Sequence, residues 1–98
     1  MTEKSRPADT AILALVRGSV QGVGFRYETR SIARSLGIRG WVKNLQDGGV
    51  EVYAEGMPAD IARLSSWLHK GPAGARVASV DVSERHARGV YFTFTIEE

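Results

Sequence analysis

No cysteine occurs in the 98 residues. Disulfides, thiolate catalysis and cysteine-ligated zinc are therefore excluded, and the composition suits a reducing cytoplasm. Histidine is scarce as well: His69 and His86 are the only two, and no aspartates or glutamates cluster at metal-ligand spacing. The chain is accordingly expected to use no metal and no cofactor. No apolar run approaches the roughly 18 residues that cross a bilayer, and the opening MTEKSRPADT has no hydrophobic centre of a secretory signal, so no membrane association is expected. Charge of one sign is lacking too. Thirteen Lys and Arg are interspersed with 11 Asp and Glu for a net +2, which does not favour a general nucleic-acid binder. At 43% hydrophobic and 24% charged, the chain fits one compact domain, which at this size buries roughly 60–65% of its unfolded surface. Residues 1–10 are expected to form a disordered polar tail and residues 11–98 the domain.

What the chain does have is a glycine-rich segment directly after an apolar run at 11–16: Gly18-Ser19-Val20-Gln21-Gly22-Val23-Gly24-Phe25-Arg26. Three glycines in seven positions let backbone N–H groups turn inward, and the loop leads into a helix whose N-terminus favours anions. Arg26 adds a permanent, forked positive charge. Two common nucleotide loops fail to fit. Gly22 is followed by Val23 rather than by Lys and a hydroxyl residue, and Tyr27 stands where a dinucleotide fingerprint needs its third glycine. A tight turn with no ligand remains an equal alternative on these residues alone.

Periodicity supplies the frame. Residues 11–17 read as a buried strand ending at Gly18, and Phe25, Ile32, Ala33 and Leu36 share one face of a helix over 25–36 closed by Gly37. Strands at 38–44 and 50–55 flank the turn-rich 45–49, where Asp47-Gly48 signals a hairpin. Val50, Val52 and Ala54 alternate with Glu51, Tyr53 and Glu55, as in a sheet with one covered face. Pro58 opens a second helix with Ile61, Leu64 and Leu68 on one face, stopped by Gly71-Pro72. Strands at 77–82 and 90–96 follow, joined by a charged linker at 83–89. The order is that of an α+β, ferredoxin-like split βαβ sandwich: βαββαβ plus a C-terminal strand, with two helices on one face of a mostly antiparallel sheet. Right-handed crossovers then make the first two strands parallel, with the third between them. The glycine loop and Asn44 come to one sheet edge, with backbones about 10 Å apart.

The stretch from Val16 to Arg26, then Gly40-Trp41-Val42-Lys43-Asn44, Gly48, Val50 and Gly56, closely resembles the acylphosphatase family signature, as does the chain from about Ala11 onward, with Phe92, Phe94 and Ile96 near its end. The resemblance implies hydrolysis of the carboxyl–phosphate bond of acyl phosphates. It implies that Arg26 binds the phosphoryl group, that Asn44 positions water, and that Ser19, Val20, Gln21, Gly22, Val23 and Gly24 form the backbone cradle. Gly24 stands where some members carry an aromatic and Leu45 where some carry threonine. Neither departure touches Arg26 or Asn44.

The chemistry suits these residues. A carboxylate leaving group has an ordinary pKa near 4 and needs no acid. A loose phosphoryl-transfer transition state asks mainly for positioning and charge stabilisation. Metal, nucleophile and general base are then dispensable, and both histidines read as surface or structural residues. Trp41 reads as sheet packing, Trp67 as core or rim, Glu28 and Arg30 as solvated helix residues, and Asp47 as turn chemistry. Two rivals remain: a non-catalytic acyl-phosphate or anion-binding (channelling) module, and an RNA-binding domain. The second lacks an aromatic on the first strand to stack bases. The expected partners are a small acyl phosphate and inorganic phosphate, as product and competitive inhibitor, with no nucleic acid. The expected state is a cytoplasmic monomer, acting as a stand-alone hydrolase.

Overall fold

The computed structural model describes residues 9–98. The polar tail expected at the N-terminus therefore lies outside the described residues, except for Asp9 and Thr10. Strand β1 (Thr10–Ser19) alternates as its residues dictate: Ile12, Ala14 and Val16 enter the core while Leu13, Leu15 and Arg17 face the other side, half-buried. It does not end at Gly18. A register shift between Arg17 and Gly18 lets the strand continue against β4 (Arg76–Arg85), with Gly18 at φ 131°. Any Cβ there would lie 2.1 Å from the Arg76 carbonyl oxygen, so the bulge requires glycine.

Helix α1 (Phe25–Ser35) buries Phe25, Thr29 and Ala33, spaced for one face, with Ile32 and Leu36 beside them. Strands β2 (Arg39–Asn44) and β3 (Val50–Gly56) form the expected hairpin, closed by Leu45 N–H donating to the Gly49 carbonyl at 2.8 Å and Gly48 N–H to the Leu45 carbonyl at 3.2 Å. Helix α2 (Pro58–Lys70) starts on Pro58, whose missing N–H costs nothing at that position, and buries Ile61, Leu64 and Leu68. The last strand is β5 (Phe94–Glu97).

The sheet order is β4-β1-β3-β2-β5, with β2 and β5 parallel and the other three neighbouring pairs antiparallel. Helix α1 packs over β2 and β5, and α2 over β1 and β4. Strands β1 and β2 thus run the same way with β3 between them, as expected. One cross-strand row positions the site: Val50 pairs with Val16 on one side and with Asn44 on the other. The end of β2 is therefore level with the last turns of β1 before the glycine loop, about 10 Å away across two strand spacings.

Besides the end of β1, three expectations need correction: the extent of β4, the start of β5 and the single covered face of β3. Strand β4 continues through Ser83 to Arg85, into the stretch read as a linker, because it is an edge strand whose outer side meets solvent and tolerates charge. Strand β5 begins at Phe94 rather than Val90. The 86–91 stretch instead crosses the open face of the sheet, where the Glu55 carboxylate accepts from Arg88 N–H (2.8 Å), Gly89 N–H (3.1 Å) and the Tyr53 hydroxyl (2.7 Å). Tyr91 follows it down, its ring 5.4 Å from that of Tyr53 and its hydroxyl 3.3 Å from Trp41 Nε1. Glu55 is consequently 0% exposed and Tyr53 6%, so β3 is covered on both faces at this end. Buried polar groups need partners, and each side of this cluster satisfies the other.

Candidate active site

Two buried side chains pin the glycine loop. Val20 is 1% exposed, and Phe25 is 2% exposed with its ring 5.4 Å from Trp67. Burying such a ring stabilises the loop's exit by roughly 2–3 kcal/mol. Between the pins Gln21, Gly22 and Gly24 are exposed. Gly24 is the N-cap of α1 in the left-handed region, φ 79° and ψ 16°, and no side chain caps the helix. The first helical bond runs from Glu28 N–H to the Gly24 carbonyl at 3.0 Å. The preceding N–H groups, those of Phe25, Arg26 and Tyr27, are the orphan donors of a helix start, backed by the positive end of its dipole.

Arg26 projects from this first turn, half-buried, and among the described residues no carboxylate pairs with it. A cation at a helix N-terminus is unfavourable against the dipole unless an anion joins it. Glu28, the acid of the same turn, lines a separate hollow with Trp67 and Lys70. Opposite stands Asn44 at the end of β2. Its Oδ1 is buried and, among the described residues, accepts no hydrogen bond. An orphaned buried acceptor costs on the order of 1–3 kcal/mol, so its retention calls for a functional explanation.

These groups meet in one hollow of about 210 Å³, lined by Val20, Gln21, Gly22 and Gly24 of the loop, Phe25, Arg26 and Tyr27 of the helix, and Asn44. A larger hollow, about 490 Å³, lies at the other end of β1 between α2 and β4 and has no glycine in its lining. Two expected cradle residues stand outside the smaller hollow's lining. Ser19 pairs with Arg76 in the sheet, and Val23 is partly buried against the core near Gly74. Tyr27 was not singled out by sequence. It is 60% exposed, with the Arg30 guanidinium 5.4 Å from its ring centroid; its only signal was an aromatic immediately after Arg26.

The residues read as structural behave so. Asp47 Oδ1 accepts Gly49 N–H at 3.0 Å and Oδ2 meets Arg17 Nη1 at 2.5 Å; the Gly49 N–H, then Arg17, hold its carboxyl below the usual range. Trp41 stacks on Tyr53 with ring centroids 6.0 Å apart, as packing predicts. His69 is bonded within α2 to the Ser65 carbonyl at 2.8 Å, and His86 lies in the stretch that crosses the open face. Among the described residues no group of His, Asp or Glu could hold a metal ion, and no helix is long and apolar enough to cross a membrane.

The uncapped start of α1, Arg26 and the orphaned Asn44 Oδ1 thus line one small hollow on a ferredoxin-like frame, an arrangement with the chemistry to hold a small anion. The acylphosphatase family profile matches residues 12–96. An acylphosphatase from Acaryochloris marina is 49% identical over 80% of this chain and 84% of its own, and one from Pseudomonas paraeruginosa is 51% identical over 79% and 85%. Among solved structures, an acylphosphatase from Coxiella burnetii superposes with a TM-score of 0.87 at 40% identity, covering 92% of this chain and 94% of the other. A full-length HypF in phosphate- and nucleotide-bound form gives 0.83 at 26% identity over 96% of this chain, but only 12% of its own. The chain belongs to the acylphosphatase family. It is a hydrolase of that family, and its reaction is the hydrolysis of acyl phosphates.

Proposed function

We propose that this chain carries out acyl phosphate hydrolysis by direct attack of water, with Arg26 and Asn44 as its two catalytic side chains. The phosphoryl group sits against the loop residues that line the hollow, Val20, Gln21, Gly22 and Gly24, and on the first N–H groups of α1, its charge met by the Arg26 guanidinium. Asn44 Oδ1 accepts a hydrogen bond from the attacking water, while the amide NH₂ donates to a phosphoryl oxygen, which sets the line of attack. The water oxygen bonds to phosphorus as the bond from phosphorus to the carboxyl oxygen breaks. The electron pair leaves on the carboxylate, and both water protons end on the inorganic phosphate produced, one kept on the attacking oxygen and one passed to a phosphoryl oxygen. Donors placed in advance where charge is spread in the transition state supply most of the acceleration.

The observation that carries this reading is the orphaned Asn44 Oδ1, buried in the same hollow as Arg26 and an uncapped helix start. Inorganic phosphate, fitting the same cradle, is a competitive inhibitor. The reading treats residues 11–98 as the catalytic unit of a cytoplasmic monomer, in keeping with its cysteine-free composition.

The test is turnover of benzoyl phosphate beside a phosphate monoester, with a chelator present. Fast cleavage of the acyl phosphate alone is expected. Loss of the rate on chelation, restored by magnesium, would overturn the metal-free route. Phosphate binding without turnover would favour an anion-binding or channelling module.

A further inference from the structure

The cradle and the Asn44 hairpin are not simply neighbours; one side chain ties them together. Gln21 Nε2 lies 2.8 Å from the Leu45 carbonyl oxygen and 2.8 Å from the Gly49 carbonyl oxygen. Facing two acceptors, the amide presents its NH₂, and each of its two hydrogens has one carbonyl to meet. Those two carbonyls also accept the bonds that close the hairpin turn, from Gly48 N–H and Leu45 N–H. Leu45 is the residue after Asn44. From the other side the turn is held by Arg17 on Asp47, and Gly49 fits so closely that a Cβ there would lie 3.1 Å from the Val16 carbonyl oxygen.

We infer that Gln21 is a positioning residue for the reaction, whose side chain sets Asn44 against the cradle and so sets the line of water attack. The inference rests on the reading of Asn44 as the water holder. The cradle keeps its own shape without Gln21, because Val20 and Phe25 anchor both ends of the loop in the core. Asn44 has no such second anchor for its amide, since its Oδ1 is bonded to nothing among the described residues. Loss of the tie should therefore lower kcat while phosphate binding persists.

The experiment compares wild type, Gln21→Met, Asn44→Ala and the double variant, reading kcat and KM for benzoyl phosphate, inhibition by inorganic phosphate, and thermal midpoint. Gln21 is exposed, so Gln21→Met should fold with nearly the wild-type midpoint. Losing two hydrogen bonds is expected to lower kcat about tenfold, with phosphate inhibition changed less than about twofold. In the Asn44→Ala background the same substitution should cost less than about twofold, because the residue through which it acts is gone. Equal loss of kcat in both backgrounds, or phosphate inhibition falling in step with kcat, would overturn the inference while leaving the Asn44 reading intact. Normal kcat in Asn44→Ala would overturn both.

Gln21→Glu supplies a second readout. Its carboxylate has no donor for the two carbonyls, but a protonated carboxyl donates one O–H. Its kcat relative to wild type should therefore rise as the pH falls toward the ordinary glutamate range near 4.3. A ratio that stays flat with pH would exclude donation by residue 21 as the cause.

Discussion

Two parts of this molecule gather backbone N–H groups, and they differ in where the negative charge comes from. On the open face of the sheet, Arg88 and Gly89 donate to Glu55, a carboxylate the chain supplies itself and buries completely. At the start of α1, no side chain caps the first-turn donors and no carboxylate among the described residues pairs with Arg26. The first arrangement is closed: every charge has an internal answer, and it contributes stability. The second is open: its uncapped helix start, its arginine and the buried Asn44 acceptor face one hollow with no answer from within among the described residues. Satisfied networks rigidify a fold, whereas unsatisfied ones at a hollow mark where binding energy is kept for a ligand.

Emptying the open site of its charge is the strongest way to break this contrast. Arg26→Ala should lower kcat/KM by about a hundred- to a thousandfold and weaken phosphate inhibition together, with the thermal midpoint unmoved. Asn44→Ala should lower kcat comparably yet leave phosphate inhibition within about twofold, and steady-state kinetics with benzoyl phosphate separates the two patterns. The closed site should answer in the opposite way. Glu55→Ala leaves two N–H groups and the Tyr53 hydroxyl without their acceptor and should cost roughly 2–4 kcal/mol in urea unfolding, with kcat within about twofold of wild type. A fall in kcat as large as that of Arg26→Ala would mean the two regions are not independent. Gly24→Ala sharpens the comparison, since nothing lies within 4 Å of the added methyl and only the φ of 79° is strained. It should cost about 1 kcal/mol of stability and reduce kcat several-fold by turning the first N–H groups of α1.

The smallest effect concerns Asp47, at the turn beside the open site. Its folded carboxyl is held below the ordinary 3.8, first by Gly49 N–H and then by Arg17. A depressed carboxylate stabilises the fold above its unfolded value and loses that contribution as the pH falls through the folded one. The midpoint difference between wild type and Asp47→Asn should thus be present at neutral pH and shrink as the pH falls from 3.8 through the still lower folded value. A difference that persists unchanged in acid would remove charge from the explanation of that turn.

What the sequence made legible and what it hid divide by range. Strand β1, helix α1 and the hairpin were readable because their signals are local: alternation, one apolar helical face, and Asp47-Gly48 in the turn. The meeting of Arg26 and Asn44 was readable because strand order follows from connection rules. Gln21 was legible only as part of the loop, since its side-chain partners lie 24 and 28 residues away and no local pattern announces them. Glu55 misled in the same way. On a strand it reads as the outward half of an alternation, and only a stretch more than 30 residues later turns it inward. Val90 and Tyr91 have strand-forming side chains, yet that distant carboxylate and the Trp41–Tyr53 stack draw their segment off the ladder before β5 begins.

The order of strands also sets when the enzyme can come alive. Arg26 follows β1 and Asn44 ends β2, but those two strands never touch; β3, the last of the three to leave the ribosome, must slot between them. A half-made chain with β1, α1 and β2 in place has both Arg26 and Asn44 but not the hollow they share. Activity regained during refolding therefore reports completion of the central sheet rather than appearance of helices, and the substrate itself serves as a probe for the slow, non-local step of folding.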